Sequence, residues 1–265
     1  MNLLAGRIRY GVELECYMPR DAAADVPNHG AIPMGPHGWK GKPDGSLLTA
    51  PSDGMYGVEV VSPIERGENG LVHTWYMIEH IRSLGADVNA TCGLHIHFDA
   101  VGLTEAEVQK IGAAFQLYEM AFFGLNGEYI TERLQNMYCA HSLRWGGWGT
   151  AKYQSLNRLN YGGPHARGKS TLEFRLYRNT LDPAMVTTAI YMGAALWARA
   201  LRDDTPIASG RYAEPRAALD AFVNDHYSDP RNLIIDVEAA DDLISKADEL
   251  MLAAERKLRR AGARV

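Results

Sequence analysis

Hydrophobic and polar residues alternate along some short segments of the chain and recur at helical spacing along longer ones. Alternation predicts strands, because successive side chains of a strand point to opposite faces. The predicted strands are residues 7–16, 56–62, 88–99 and 171–178. Apolar residues spaced three or four positions apart predict helices, which are residues 69–84, 104–125, 182–201, 214–225 and 240–261. Residues 19–57 are rich in Pro, Gly and Asp and predict a long irregular excursion.

Two of the predicted helices begin at clear capping signals. Thr104 is followed three residues later by Glu107, which is the arrangement of a capping box. Asp182 precedes Pro183, and proline is favoured at the first position of a helix. Short strands without strict alternation with helices predict an α+β fold: a largely antiparallel, curved sheet of about six strands with helices on its apolar face, followed by a helical C-terminal segment.

Composition narrows the class of protein. The 265 residues are 46% hydrophobic and 22% charged, which argues against a disordered chain. The net charge of −5, without a basic run, argues against a surface that grips nucleic acid. No run of about 18 apolar residues is present, so no membrane span is expected. Three widely spaced cysteines without a CxxC pair favour reduced thiols and a cytoplasmic location.

Carboxylates and imidazoles line one face of the first predicted strands. Glu13 and Glu15 share a face of their strand because they lie two residues apart. His95, His97 and Asp99 share a face of another strand in the same way. A lone Glu-x-Glu is more often a solvated sheet face, and two histidines can be a hydrogen-bonded structural pair. With Asp99 aligned, we favour a metal or catalytic role for this second strand.

Two further strands carry isolated charges. Glu59 lies among valines, where an acid is costly to bury unless it is paired or bound to metal. Glu173, Arg175 and Tyr177 share a face, and simple alternation places Arg178 on the apolar face unless the strand bulges. Glu173 and Arg175 are compatible with a surface ion pair or with a metal ligand beside a phosphate clamp.

A sheet that gathers these groups on one polar face would suit Mg²⁺ or Mn²⁺ beside a transferring phosphoryl group. Residues 163–170 match the P-loop pattern GxxxxGK[ST]. A P-loop requires a helix after the loop, whereas a strand is predicted here, so we interpret the match as coincidental. Lys169 remains a candidate contact to a phosphate.

Six motifs follow one another within residues 7–200. They are Gly-x-Glu-x-Glu (11–15), Asp-Gly-Ser (44–46), Val-Glu-Val-Val-Ser-Pro (58–63), Cys-Gly-Leu-His-Ile-His (92–97), Asn-x-Tyr-Cys (136–139) and Thr-Leu-Glu-Phe-Arg (171–175). In this order they resemble the amidoligase family, which is related to glutamine synthetase and glutamate–cysteine ligase. The resemblance implies a fold like the glutamine synthetase catalytic domain over residues 1–205, with residues 206–265 as a helical extension packed on it.

The resemblance also implies an ATP- and Mg²⁺- (or Mn²⁺-) dependent carboxylate–amine ligase that forms an amide through an acyl phosphate. By position, Glu13, His95 and Glu173 resemble ligands of the metal nearest the ATP phosphates, and Glu15 and Glu59 resemble ligands of a second metal, with His97 behind them. The implied catalytic residues are Arg175, Arg178 and Asp44, and the implied ATP contacts are Lys169, Arg175 and Arg158. Asn157 and Asn160 are candidates for positioning substrate.

Small-molecule carboxylates and amines are the expected partners, with a peptide or a modified nucleotide or base among the candidates, and an oligomer is compatible with the sequence. Two other classes stay open. One is a metal-dependent hydrolase built on His95, His97 and Asp99. The other is a non-catalytic domain that binds a partner through Trp145, Trp148 and Tyr161.

Overall fold

The computed structural model describes residues 8–23, 32–35, 37–47, 50–141, 153–158, 161, 170–202, 210–227 and 237–261. Eight strands form one sheet in the order β2-β3-β4-β1-β6-β8-β7, with β5 paired to β1. Every strand pair is antiparallel. The strands are β1 (Arg9–Pro19), β2 (Ile32–Pro33), β3 (Lys40–Pro43), β4 (Met55–Val61), β5 (Glu65–Arg66), β6 (Gly93–Asp99), β7 (Leu156–Asn157) and β8 (Thr171–Arg178).

The predicted α+β class with a largely antiparallel sheet is confirmed. Three of the strands are only two residues long, and alternation over two residues leaves no signal in a sequence. The segment 19–57, predicted to be irregular, contains β2 and β3, and β3 pairs with β4. That expectation was therefore wrong for residues 40–43, whose Lys-Gly-Lys-Pro sequence has low strand propensity.

Five of the helices lie close to their predicted bounds, and the short helix over Ile130–Gln135 was not predicted. They are α1 (Gly67–Ser83), α2 (Glu105–Gly124), α3 (Ile130–Gln135), α4 (Pro183–Arg202), α5 (Pro215–His226) and α6 (Val237–Arg260). The capping box at the start of α2 is present, since Thr104 Oγ1 accepts from the Glu107 amide at 3.3 Å and the Glu107 carboxylate accepts from the Thr104 amide at 2.7 Å. The Asp182 carboxylate accepts from the Ala184 amide at 2.9 Å and so caps α4.

One face of the sheet is apolar because alternate residues of each strand are hydrophobic. In β1 these are Tyr10, Val12, Leu14 and Cys16, all of them buried. Helices α2 and α4 cover this face with an aromatic cluster in which ring centroids lie 5.3 to 5.6 Å apart; its members are Phe98, Phe115, Phe122, Phe174 and Trp197. The helices therefore cover the apolar face.

The two C-terminal helices share this core. Phe222 of α5 packs edge-on against Tyr118 and Phe122 of α2, with ring centroids 5.6 and 5.8 Å apart. Met251 of α6 is also fully buried in the same hydrophobic cluster. Helix α4 is the one helix in the described part of the chain that is long and apolar enough to cross a membrane. Since 83% of its apolar window is buried inside the protein, it has the character of a core helix.

Candidate metal and phosphate site on the polar face of the sheet

The polar face of the central strands carries a compact group of two carboxylates and an imidazole. Strand register places Glu13 opposite His95, and His97 opposite Glu173. The His97 Nε2 atom lies 3.4 Å from Glu13 Oε2 and 3.8 Å from Glu173 Oε1. One ligand atom from each of Glu13, His97 and Glu173 lies within 4.8 Å of the others. This spacing suits a single cation held by oxygen and nitrogen.

His95 lies between this group and the next carboxylate along β1. Its Nδ1 atom is 3.3 Å from Glu13 Oε2 and 3.6 Å from Glu173 Oε1, and its Nε2 atom is 3.6 Å from Glu15 Oε1. The resemblance implied His95 as the ligand and His97 behind it. In the structure both imidazoles reach the carboxylates and His97 completes the three-residue group, so the assignment of either one to the metal stays a prediction.

The imidazoles and an arginine stabilise the charged forms of the two carboxylates. Burial alone would raise the pKa of Glu13, but the neighbouring imidazoles of His95 and His97 hold it well below its usual range. Burial would likewise raise the pKa of Glu173, yet the charges of His97 and Arg175 lower it. The pKa of His97 is raised despite burial, because the carboxylates of Glu13 and Glu173 lie 3.4 and 3.8 Å from its Nε2 atom. A cation bound by these carboxylates would compete with a proton on His97, so metal binding at this group should depend on pH.

A second pair of carboxylates lies beside the first group. Glu15 is directly opposite Glu59, and Lys42 of β3 contacts Glu59 with its Nζ atom 2.9 Å from Oε2. Burial, followed by the charge of Glu13, raises the pKa of Glu59 to about 8. Burial also raises the pKa of Glu15. The crowding of these acids is compatible with a second cation, as the resemblance implied for Glu15 and Glu59.

Two positions near this pair were missed in the sequence. Lys42 lies in the segment predicted to be irregular, and the alternation of Lys40 and Lys42 was the only available signal. Gly93 donates its amide to Glu15 Oε2 at 2.6 Å. A Cβ at Gly93 would lie 2.9 Å from His95 Nε2 and 3.1 Å from Glu15 Oε2, so glycine lets these two side chains meet above β6.

Both arginines lie on the polar face, Arg175 by simple alternation with Glu173 and Arg178 through a β-bulge. Arg175 pairs with Glu173 and lies over the ring of Tyr153, 6.0 Å from its centroid. The register of β6 and β8 shifts between Leu94 and Ile96, so Arg178 lies opposite Gly93 on the polar face. Simple alternation, which predicted Arg178 on the apolar face, was therefore wrong. Tyr177, predicted to lie beside Arg175, is instead opposite Leu94 and fully buried in the core.

Both guanidinium groups have unused donors. Arg178 lies over the ring of Tyr129, 3.6 Å from its centroid. Its Nε and Nη1 atoms and the Nε atom of Arg175 are buried without a hydrogen-bond partner among the described residues. Buried donors are normally satisfied, so these are the features expected of a site for an oxyanion such as phosphate or carboxylate.

The other predicted site residues divide between the site and its surroundings. Asn157 donates from Nδ2 to Glu173 Oε2 at 2.8 Å and so orients that carboxylate. Asp44 lies in the turn after β3, accepts from the Ser46 amide at 2.8 Å, and is close enough to Glu15 to contribute to its raised pKa. Lys169, Asn160, Trp145 and Trp148 lie outside the described residues.

Two of the predicted site residues, Arg158 and Asp99, bind partners outside the carboxylate group. Arg158 donates to both carboxylate oxygens of Glu105 at 2.6 and 2.5 Å, at the start of α2, and is not brought to the carboxylate group. Asp99 pairs with Arg9 and accepts from the Val101 amide at 3.1 Å. The proposed hydrolase set of His95, His97 and Asp99 therefore lacks its carboxylate, which β1 and β8 supply instead.

Comparisons with known proteins address the family and the fold of the chain. A family model described as "Putative amidoligase enzyme" matches residues 7–144, just over half of the chain. The structure of PafA, described as the ligase of the prokaryotic ubiquitin-like protein Pup and solved in complex with it, aligns with a TM-score of 0.54 at 10% identity over 98% of this chain and 67% of that one. GmaS in complex with ADP aligns with a TM-score of 0.49 at 11% identity over 97% of this chain and 70% of that one.

No curated protein matches the chain. The structural likeness to PafA supports the fold, and the family model covers the strands that carry Glu13, Glu59 and His95. The family model, which covers more than half of the chain, gives the assignment: the chain belongs to the amidoligase family.

Proposed function

We propose that this protein is an ATP- and Mg²⁺-dependent ligase that joins a carboxylate to an amine through an acyl phosphate. The observation that carries the proposal is the placement of Glu13, His97 and Glu173 beside two arginines with unused buried donors. A cation ligand set next to an oxyanion site is the combination that phosphoryl transfer requires.

The donor set fits the cation. Carboxylate oxygens dominate it, which suits the hard ions Mg²⁺ and Mn²⁺ better than a site of thiolates. Glu13, Glu173 and a histidine would hold the first ion, and Glu15 with Glu59 a second one. Bound there, such ions supply charge neutralisation for the phosphates and for the bond that breaks.

The reaction balances with the residues present. A carboxylate oxygen of the acid substrate attacks the γ-phosphorus of ATP, the bond from that phosphorus to the bridging oxygen breaks, and ADP leaves. The amine nitrogen then attacks the acyl carbon, phosphate leaves, and the nitrogen loses a proton. In this proposal Arg175 and Arg178 hold the transferred phosphoryl group and the acyl phosphate, and Asp44, whose charge acts on Glu15, binds the incoming amine and takes its proton.

The substrates remain a proposal at the level of chemical class. PafA is described as a ligase bound to Pup, which is a protein. We therefore add a peptide or protein chain to the candidate substrates, which also include amino acids, polyamines and modified bases. The polar face is lined by acids, and an amine-bearing substrate would complement the end of it formed by Glu15, Glu59 and Asp44.

A trapping assay tests the proposal without knowledge of the amine. The purified protein is incubated with ATP, Mg²⁺, hydroxylamine and a panel of carboxylic acids, and both ADP and hydroxamate are measured. We expect both products to form with one class of acid, and Glu13→Gln to lose at least about 100-fold in rate, as expected when a group that stabilises the transition state is removed.

Glu79→Gln is the matched control, because Glu79 is an exposed acid on α1 that pairs with Arg82. Unchanged hydroxamate formation in Glu13→Gln, or in His95→Ala together with His97→Ala, contradicts the proposed site. Tightly bound zinc without binding of ATP would instead support the hydrolase alternative.

A further inference from the structure

The bulge in β8 frees backbone groups that a regular ladder would pair. Gly93 lies opposite Arg178 and Leu94 opposite Tyr177, but Ile96 lies opposite Phe174. Two residues of β8, Arg175 and Leu176, thus face a single residue of β6. The carbonyls of Arg175 and Leu176 and the amide of Arg178 therefore require other partners.

Asn126, which is 6% exposed, satisfies two of these groups at once. Its Nδ2 atom donates to the Leu176 carbonyl at 3.2 Å, and its Oδ1 atom accepts from the Arg178 amide at 2.8 Å. The same Nδ2 atom also donates to the Phe123 carbonyl at 2.8 Å, which fixes Asn126 to the end of α2. The amide of Asn126 therefore binds the backbone on both sides of Tyr177.

Arg133 satisfies the remaining carbonyls. It is also 6% exposed, and it donates from Nη2 to the Arg175 carbonyl at 2.9 Å and from Nε to the Leu176 carbonyl at 3.2 Å. Between Asn126 and Arg133 in sequence, Tyr129 lies under the Arg178 guanidinium. The short stretch of residues 126–133 therefore contacts both the backbone and the side chain of the bulged strand.

Without the bulge, the two-residue period of a strand would turn Arg178 to the apolar face and bring Tyr177 to the polar face. We infer that Asn126 and Arg133 are positioning residues, whose hydrogen bonds to the bulged backbone at 175–178 turn the Arg178 guanidinium toward the carboxylate group. This inference rests on the proposed function, because Arg178 acts there as an anion contact. Neither residue touches the reacting atoms.

A double-mutant cycle tests the inference through the assay for hydroxamate and ADP. Asn126→Ala is measured in the wild-type and in the Arg178→Ala background, and Thr104→Ala, which removes the cap of α2, serves as a destabilising control. We expect Asn126→Ala to lower kcat/KM about 100-fold alone, the size expected for a misplaced contact, and less than threefold when Arg178 is already absent. We expect Thr104→Ala to change both backgrounds by the same small factor.

Arg133→Met and Arg133→Lys supply the second comparison. The ammonium of lysine retains a donor for one of the two carbonyls, so Arg133→Lys should recover part of the rate lost in Arg133→Met. An equal fold-loss for Asn126→Ala in both backgrounds, or no recovery by lysine, overturns the positioning role and indicates a general effect on folding.

Amide hydrogen exchange separates this inference from the proposed function. We expect the fragment covering residues 171–179 to exchange faster in Asn126→Ala than in Thr104→Ala. If the wild-type protein forms no hydroxamate or ADP with any acid, the proposed function fails, while faster exchange in this fragment still supports the bulge contacts. Unchanged exchange overturns the contacts whatever the activity.

Discussion

The carboxylate of Glu59 offers a direct test of the electrostatics of the polar face. Its pKa is raised to about 8 from an ordinary value of 4.5, first by burial and then by the charge of Glu13. In the unfolded chain the same group loses its proton near pH 4.5. The native state therefore holds a proton that the unfolded state releases, and stability from this group is present below pH 4.5 and is lost as the pH rises to about 8.

The magnitude follows from the shift. Each pKa unit corresponds to about 1.4 kcal/mol, so the full shift sets an upper bound of about 5 kcal/mol. Glu13 and Glu59 share a hydrogen bond, and the lowered pKa of Glu13 offsets part of this loss. We therefore expect Glu59→Gln, which keeps a neutral group at this position, to be more stable than the wild-type protein by about 2 kcal/mol at pH 8 and by little at pH 5.

Urea denaturation in the presence of EDTA, at pH values from 5 to 9, measures this difference. The control is again Glu79→Gln, whose difference from the wild type should not vary with pH. Saturating Mg²⁺ should reduce or reverse the advantage of Glu59→Gln, because a cation stabilises the native wild type by binding to it. A difference between Glu59→Gln and the wild type that is constant from pH 5 to pH 9 in EDTA would refute the reasoning.

Three other predictions concern His97 and Gly93 on the polar face and His226 at the end of α5. The pKa of His97 is raised by Glu13 and Glu173, so Mn²⁺ binding below that pKa should release a proton, and the apparent Mn²⁺ affinity should rise with pH. Calorimetry in buffers of different ionisation enthalpy counts the released protons. We expect about one proton fewer for His97→Asn than for the wild type. Gly93→Ala should lower the free energy of unfolding in urea by about 1–3 kcal/mol and weaken Mn²⁺ binding, because its Cβ would lie 2.9 Å from His95 Nε2. Gly102→Ala, with open space around the added Cβ, is the control and should leave Mn²⁺ affinity unchanged. Burial lowers the pKa of His226 to about 4, so its contribution to stability is complete above about pH 6.5 and is lost as the pH falls toward 4. His226→Gln should therefore lose less stability than the wild type between about pH 6.5 and pH 4, as measured by urea unfolding. The same loss of stability in both proteins would contradict this prediction.

The strands and helices could be predicted because their periodicity is local. The alternation of Val12 and Leu14 with Glu13 and Glu15 fixes both the strand and its two faces, and Thr104 marks the start of α2 by its own capping bond. The same alternation correctly brought Glu13, His95, His97 and Glu173 to one face of the sheet. These features depend on a period of two or on a few neighbouring residues.

The parts that were not predicted depend on contacts between distant residues. The bulge that turns Arg178 is held by Asn126, 52 positions away in sequence, and by Arg133. Asp99 shares a face of β6 with His97 but forms an ion pair with Arg9, and Arg158 forms an ion pair with Glu105. Periodicity shows which face a side chain occupies, but not which of several partners binds it.

Charge on the polar face bears on the proposed binding of a cation and ATP there. On the strands of this face, the four acids Glu13, Glu15, Glu59 and Glu173 outnumber the three permanent cations Lys42, Arg175 and Arg178 by one, and Asp44 in the turn after β3 adds a further acid near Glu15. The raised pKa values of His97 and Glu59 favour the protonated forms of both groups when no cation is bound. A divalent ion that displaces one proton leaves the face more positive by one charge, and ATP brings several negative charges. A cation should therefore strengthen the binding of ATP, and ATP that of the cation, by the same factor. A bound cation offsets the repulsion among the four acids. The same acids that destabilise the native state without a cation therefore favour the complex with a cation and ATP.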